Sequence, residues 1–123
     1  MNLIVPNPIL IVDDDADARD ALASVLETQG YQATQVENGQ RALEHLSSNV
    51  HPPAFILLDL EMPVMDGRQF LARLPRANGS VGPPVIVITG QDPRLVSGAV
   101  AVFRKPVQLD QLLSLMERLL DGR

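Results

Sequence analysis

The chain has no cysteine and no tryptophan, and only one tyrosine and three phenylalanines in 123 residues. Without cysteine there are no disulfides, no thiolate metal sites and no thiol nucleophile, a usage that fits a cytoplasmic protein. So few rings leave little on which nucleobases could stack. Cations are also scarce: 10 Lys and Arg stand against 15 Asp and Glu, for a formal net charge of −5. Phosphate backbones need a basic surface, so nucleic acid is not an expected partner. No apolar run approaches the roughly 18 residues that cross a bilayer, so no membrane span is expected. The start, MNLIVPNPIL, has two prolines and no basic segment and does not read as a secretory signal. His45 lies in a helical pattern and His51 in a proline-rich stretch, which argues against a histidine metal site.

What is present is enough apolar material for one core: 46% of residues are hydrophobic and 20% charged. The expected organisation is a single domain over 1–123, with its core at about 8–120. Four short runs are apolar throughout, ILIV (9–12), FILL (55–58), VIVI (85–88) and VAVF (100–103). Bounded by Pro, Gly and Asp, they read as fully buried parallel strands. A more polar strand, YQATQV (31–36), suits a sheet edge. Between them run helical patterns, the first with Ala18, Ala21, Leu22, Val25 and Leu26 on one face, the last with Leu109, Leu112, Leu113, Met116, Leu119 and Leu120. Leu115 lies off that last stripe and is expected to be exposed. Such alternation predicts an α/β fold with a parallel sheet. Only eleven residues, TGQDPRLVSGA (89–99), join the third and fourth apolar runs. A parallel crossover takes about a dozen or more, so the fourth helix is expected to be a stub or irregular.

The polar residues that follow these runs carry the functional signal. ILIV ends in Asp13-Asp14, FILL in Asp59, VIVI in Thr89 and VAVF in Arg104-Lys105. In open α/β sheets ligands bind beyond the carboxyl ends of the strands. Three acids, a hydroxyl and an ammonium are therefore expected to converge at one edge. Crowded carboxylates repel one another unless a cation sits among them, and oxygen ligands of this kind suit Mg²⁺. A carboxylate can also attack phosphorus to give an aspartyl phosphate, a transfer that needs in-line placement and neutralised phosphoryl oxygens more than covalent help. Asp15 is the expected N-cap of the first helix, and Asp66-Gly67 the turn and N-cap of the third. A calcium loop starting at Asp13 fails, because Ala18 stands where glycine is required.

ILIVDDDADAR, LLDLEMPVMDG, VIVITG and FRKPV together resemble the receiver domain of bacterial two-component response regulators, over residues 8 to about 120. The D-x-x-M-P-x-M-D-G block at 59–67 is the most specific part of the match. The resemblance implies a doubly wound, flavodoxin-like (βα)5 fold with five parallel strands in the order 2-1-3-4-5. It implies that Asp59 accepts a phosphoryl group from a histidine kinase or histidine phosphotransfer protein. Asp14 would bind Mg²⁺ directly and Asp13 mainly through water, with the backbone carbonyl of Glu61 as a further ligand. Thr89 would meet the phosphoryl group and Lys105 would pair with it, the Lys105–Pro106 bond being cis. The protein would not be an enzyme, although slow self-dephosphorylation is expected.

Two features depart from that family. The 89–99 stretch is short of a full fourth helix by more than a turn. Val102 stands where the family carries the Tyr or Phe that moves with the threonine, and Phe103, its neighbour, should point to the opposite face. The competing reading is therefore a degenerate receiver that acts as a phosphorylation-independent interaction module. An aspartate-based phosphatase ranks last, since DDDAD lacks the required Thr or Val and the chain has no cap insertion. No output segment follows in the 123 residues, which suits either a stand-alone receiver or a piece of a longer protein.

Overall fold

The runs ILIV, FILL and VIVI become central strands because their side chains can be covered on both faces at once. In the computed structural model, which describes residues 8–48, 52–62, 64–74, 82–90 and 98–121, the elements follow in the order β1 (Ile9–Val12), α1 (Ala16–Thr28), β2 (Ala33–Val36), α2 (Gly39–Ser48), β3 (Ile56–Asp59), α3 (Gly67–Arg73), β4 (Val85–Thr89), β5 (Ala101–Arg104) and α4 (Leu109–Asp121). The five strands form one sheet in the order β2-β1-β3-β4-β5, and every neighbouring pair is parallel. This is a flavodoxin-like arrangement. The register aligns Val12 with Leu58 and Asp59 with Ile88, so the acid-bearing ends of the central strands lie level.

Strand alternation divides the core into two layers. Leu10, Val12, Ile56, Leu58, Val85 and Val87 face α2 and α3, packing on Ala42, Phe70 and Leu71. Ile9, Ile11, Leu57 and Ile86 face the other way, onto Leu26 of α1 and Leu112 and Met116 of α4. Each of these large side chains, once fully buried, contributes about 1.5–3 kcal/mol of transfer free energy. The helices start where side chains can satisfy their free amides. Asp15 accepts from the amides of Asp17 and Ala18. Asn38 accepts from Arg41 at 2.8 Å. Asp66 and Gln69 form a reciprocal capping box at the start of α3. Gly67 there is required by space: an added Cβ would stand 2.7 Å from Leu60 Cα and 2.9 Å from the Asp59 carbonyl oxygen.

Two sequence expectations need correction. The run VAVF is not a fully buried strand. Val100 precedes β5 and is exposed, and Ala101, Val102 and Phe103 are half-buried, because β5 is an edge with a neighbour on one side only. Leu115 is half-buried against the α1/α4 layer rather than exposed. The expected stub of a fourth crossover helix lies at 91–97, outside the described residues, as does His51. Among the described residues no helix is long and apolar enough to cross a membrane.

Candidate functional site

The sheet delivers its polar residues to one edge. Asp59 is the last residue of β3 and is buried, 5% exposed, although it carries a carboxylate. Asp13 and Asp14 follow β1 directly. Carboxylate oxygens of Asp13, Asp14 and Asp59 lie within 4.8 Å of one another. Their loop is held in shape by its own hydrogen bonds. Asp13 Oδ1 accepts from the Asp15 amide at 3.0 Å. Arg19 Nη1 donates to the Asp13 carbonyl at 2.7 Å, and Arg19 Nε to Gln35 Oε1 at 3.3 Å. The arginine thus ties the acidic loop to β2.

From the other side comes the cation. Lys105 follows β5, its backbone amide donating to the Thr89 carbonyl at 2.8 Å. Its ammonium reaches Asp59 Oδ1 at 3.1 Å. The Lys105–Pro106 bond is cis. The Glu61 backbone amide also donates to Asp59 Oδ1, at 3.3 Å. Burial pushes the Asp59 carboxyl up to about 6, with the nearby charge of Asp13 adding to the effect, while Lys105 and the Glu61 amide pull the other way. Burial also works against the charge of Lys105, but the hydrogen bond and negative charge of Asp59 outweigh it and hold the ammonium above its usual range.

Thr89 ends β4 and is fully buried. Its hydroxyl donates to Glu61 Oε2 at 2.7 Å, and the Gly90 amide donates to Glu61 Oε1 at 3.0 Å. The side chain of Glu61 is the functional residue that sequence reasoning missed, since only its backbone carbonyl had been considered. The available signal was a single acid two positions after Asp59 in the otherwise apolar stretch LEMPVM.

Asp13, Asp59 and Lys105 line a cavity of about 580 Å³ whose remaining wall is apolar. That wall comes from Ala21, Leu22 and Val25 of α1 and from Pro106 and Val107 after β5. In the loop between β3 and α3, Val64 has φ +71° and is 80% exposed. A β-branched residue in the left-handed region is strained. Val102 and Phe103 point to opposite faces, Val102 toward the α2/α3 layer and Phe103 toward the α1/α4 layer, as strand alternation requires.

Residues 9–117 match the family model of the response regulator receiver domain. The chain belongs to that family. It is 32% identical over 122 residues to the response regulator MprA of Mycolicibacterium vanbaalenii, covering 94% of this chain and 51% of that protein. It therefore spans about half the length of that curated relative. It is 30% identical over 116 residues to sporulation initiation phosphotransferase F of Bacillus subtilis, covering 91% of this chain and 92% of the relative. Among solved structures, response regulator protein TrrA from Thermotoga maritima in complex with Mg(2+)-BeF superposes with TM-score 0.77 at 25% identity, covering 92% of this chain and 98% of that one. Receiver domains bind Mg²⁺ at an acidic pocket, and the three clustered carboxylates of this receiver fit a hard divalent cation by their number, charge and oxygen chemistry.

Proposed function

We propose that this receiver is a phosphoacceptor in a two-component signalling pathway and that Asp59 is the residue modified. The observation that carries the reading is a buried carboxylate paired with an ammonium at 3.1 Å on one side and clustered with two further acids on the other. A carboxylate with only a structural role has no need of both.

A carboxylate oxygen of Asp59 attacks the phosphorus of a phosphohistidine on a histidine kinase or histidine phosphotransfer protein. A P–O bond forms as the P–N bond breaks, and the imidazole leaves with the electron pair and takes a proton from solvent. Lys105 pairs with the charge on the transferred group, and the Thr89 hydroxyl and the Glu61 amide are hydrogen-bond donors to its oxygens. Asp13, Asp14 and the carboxylate of Asp59, with the Glu61 carbonyl, would hold Mg²⁺, which when bound would neutralise phosphoryl charge. The apolar wall of the cavity, on α1 and after β5, offers the histidine donor a surface beside the acid. The relative of nearly equal length whose name is a phosphotransferase supports phosphoryl transfer as the chemistry. The domain acts as a substrate of that transfer and a signalling element, not as an enzyme on free metabolites.

The test is incubation with acetyl phosphate and Mg²⁺, read by intact mass. One phosphoryl group should be gained by the native chain and none by Asp59→Ala or in excess chelator. No gain, under conditions that label another receiver, would leave the phosphorylation-independent interaction module in its place.

A further inference from the structure

Glu61 is an exposed glutamate, yet both of its carboxylate oxygens are engaged. Oε2 accepts from the Thr89 hydroxyl at 2.7 Å and Oε1 from the Gly90 amide at 3.0 Å. Those bonds bridge from the loop after β3 to the end of β4. A Cβ added at Gly90 would make ordinary contact with Glu61 Oε1, at 3.4 Å. Holding a long side chain in one two-point geometry costs conformational entropy, so two charge-assisted bonds to fixed donors mark a defined state. Lys105 also lies within the electrostatic reach of this carboxylate.

One of the groups that Glu61 holds, the Thr89 hydroxyl, is a donor assigned above to the phosphoryl group on Asp59, and Gly90 follows it directly. A carboxylate has two oxygens sharing one negative charge, which is the local chemistry of two phosphoryl oxygens. We propose that the Glu61 carboxylate is a built-in stand-in for the phosphoryl group. It occupies Thr89 and Gly90 in the unmodified protein and must be displaced outward for the modified state to form. The inference rests on the phosphoacceptor reading of Asp59. It makes the β3–α3 loop and the end of β4 a two-position switch in which Thr89 exchanges one anionic partner for another. Such an exchange needs no aromatic side chain at position 102, where this chain has valine. The same contact opposes phosphorylation, because the incoming group has to break two hydrogen bonds to a charged acceptor.

The test compares Glu61→Asp and Glu61→Ala in the whole chain. Glu61→Asp keeps the charge but is one methylene too short to reach both donors. In the metal-free, unmodified protein the Gly90 amide resonance should move upfield, and its solvent exchange should quicken, in both variants. With acetyl phosphate and Mg²⁺ both variants should label at least about tenfold faster than the native chain, the lower bound set by the one charged hydrogen bond that both of them lose. An unmoved Gly90 amide would overturn the proposal. So would faster labelling in Glu61→Ala alone, since that pattern is charge repulsion without a latch. If the native chain labels and neither variant is faster, the latch fails while Asp59 stands as acceptor. If no chain labels, the phosphoacceptor reading fails and the latch falls with it.

Discussion

The central strands and the outer strand β5 meet at the same site but are built differently. β1, β3 and β4 are buried along their whole length; β1 runs directly into Asp13, and β3 and β4 end in Asp59 and Thr89. β5 is half-buried, ends in exposed Arg104, and is followed by the exposed lysine that reaches Asp59. The central strands can hold acids at fixed positions because close packing leaves their backbones no alternative. The edge strand supplies a charge on a long flexible stem that water still reaches. A receiver thus combines a rigid acidic floor with a compliant cationic wall, and the contrast can be probed strand by strand.

Packing should show the largest effect. Leu58→Ala on β3 is expected to cost about 3 kcal/mol in urea unfolding. Val102→Ala, on the half-buried strand, should cost about 1 kcal/mol. Equal losses would mean that β5 is as tightly packed as the centre. The chemistry should divide the other way: Lys105→Met, which leaves the strands intact, is expected to slow labelling by acetyl phosphate about 100-fold, the usual effect of removing one preorganised donor to developing charge.

Acidity gives a smaller effect whose sign is fixed by burial. The folded state raises the Asp59 pKa from 3.8 to about 6. It therefore binds that proton more tightly than the unfolded chain does, and the Asp59 contribution favours folding below about pH 4. That contribution is lost as the pH rises to about 6 and is level above it. In chelator, Asp59→Asn should remove this slope and gain about 3 kcal/mol at neutral pH. Urea melts across that range, with and without Mg²⁺, are the check, since a cation among the carboxylates should flatten the native slope.

The smallest effect belongs to the loop beneath both halves. Val64 holds φ +71° while 80% exposed, so its side chain contributes almost no burial to offset the strain. Val64→Gly should stabilise the protein by about 1 kcal/mol in the same melts and leave labelling unchanged.

Much of this was legible in the sequence because it depends on local pattern. ILIV, FILL and VIVI have no polar position that could face water, which makes them central strands. Asp59, Thr89 and Lys105 stand at or just past strand ends, so a parallel sheet has to bring them together. Asp15 and Asp66 could be recognised as caps from the helices that follow. What escaped depends on which elements become neighbours. VAVF reads like a central strand, but only the sheet order makes β5 an edge and half-exposes Val102 and Phe103. Leu115 falls off the stripe of its own helix, yet packs beside the α1/α4 layer. The Glu61 side chain pairs with groups 28 and 29 residues away, a relation no local spacing encodes.

The central claim, that the buried acid at the end of β3 accepts the phosphoryl group, is tested most directly by locating the modification. After labelling with acetyl phosphate and Mg²⁺, borohydride reduction converts an aspartyl phosphate to homoserine, and peptide mass spectrometry reads its position. The account predicts conversion at residue 59 and nowhere else, abolished by chelator. Conversion at Asp13 or Asp14, or none at all, would contradict it.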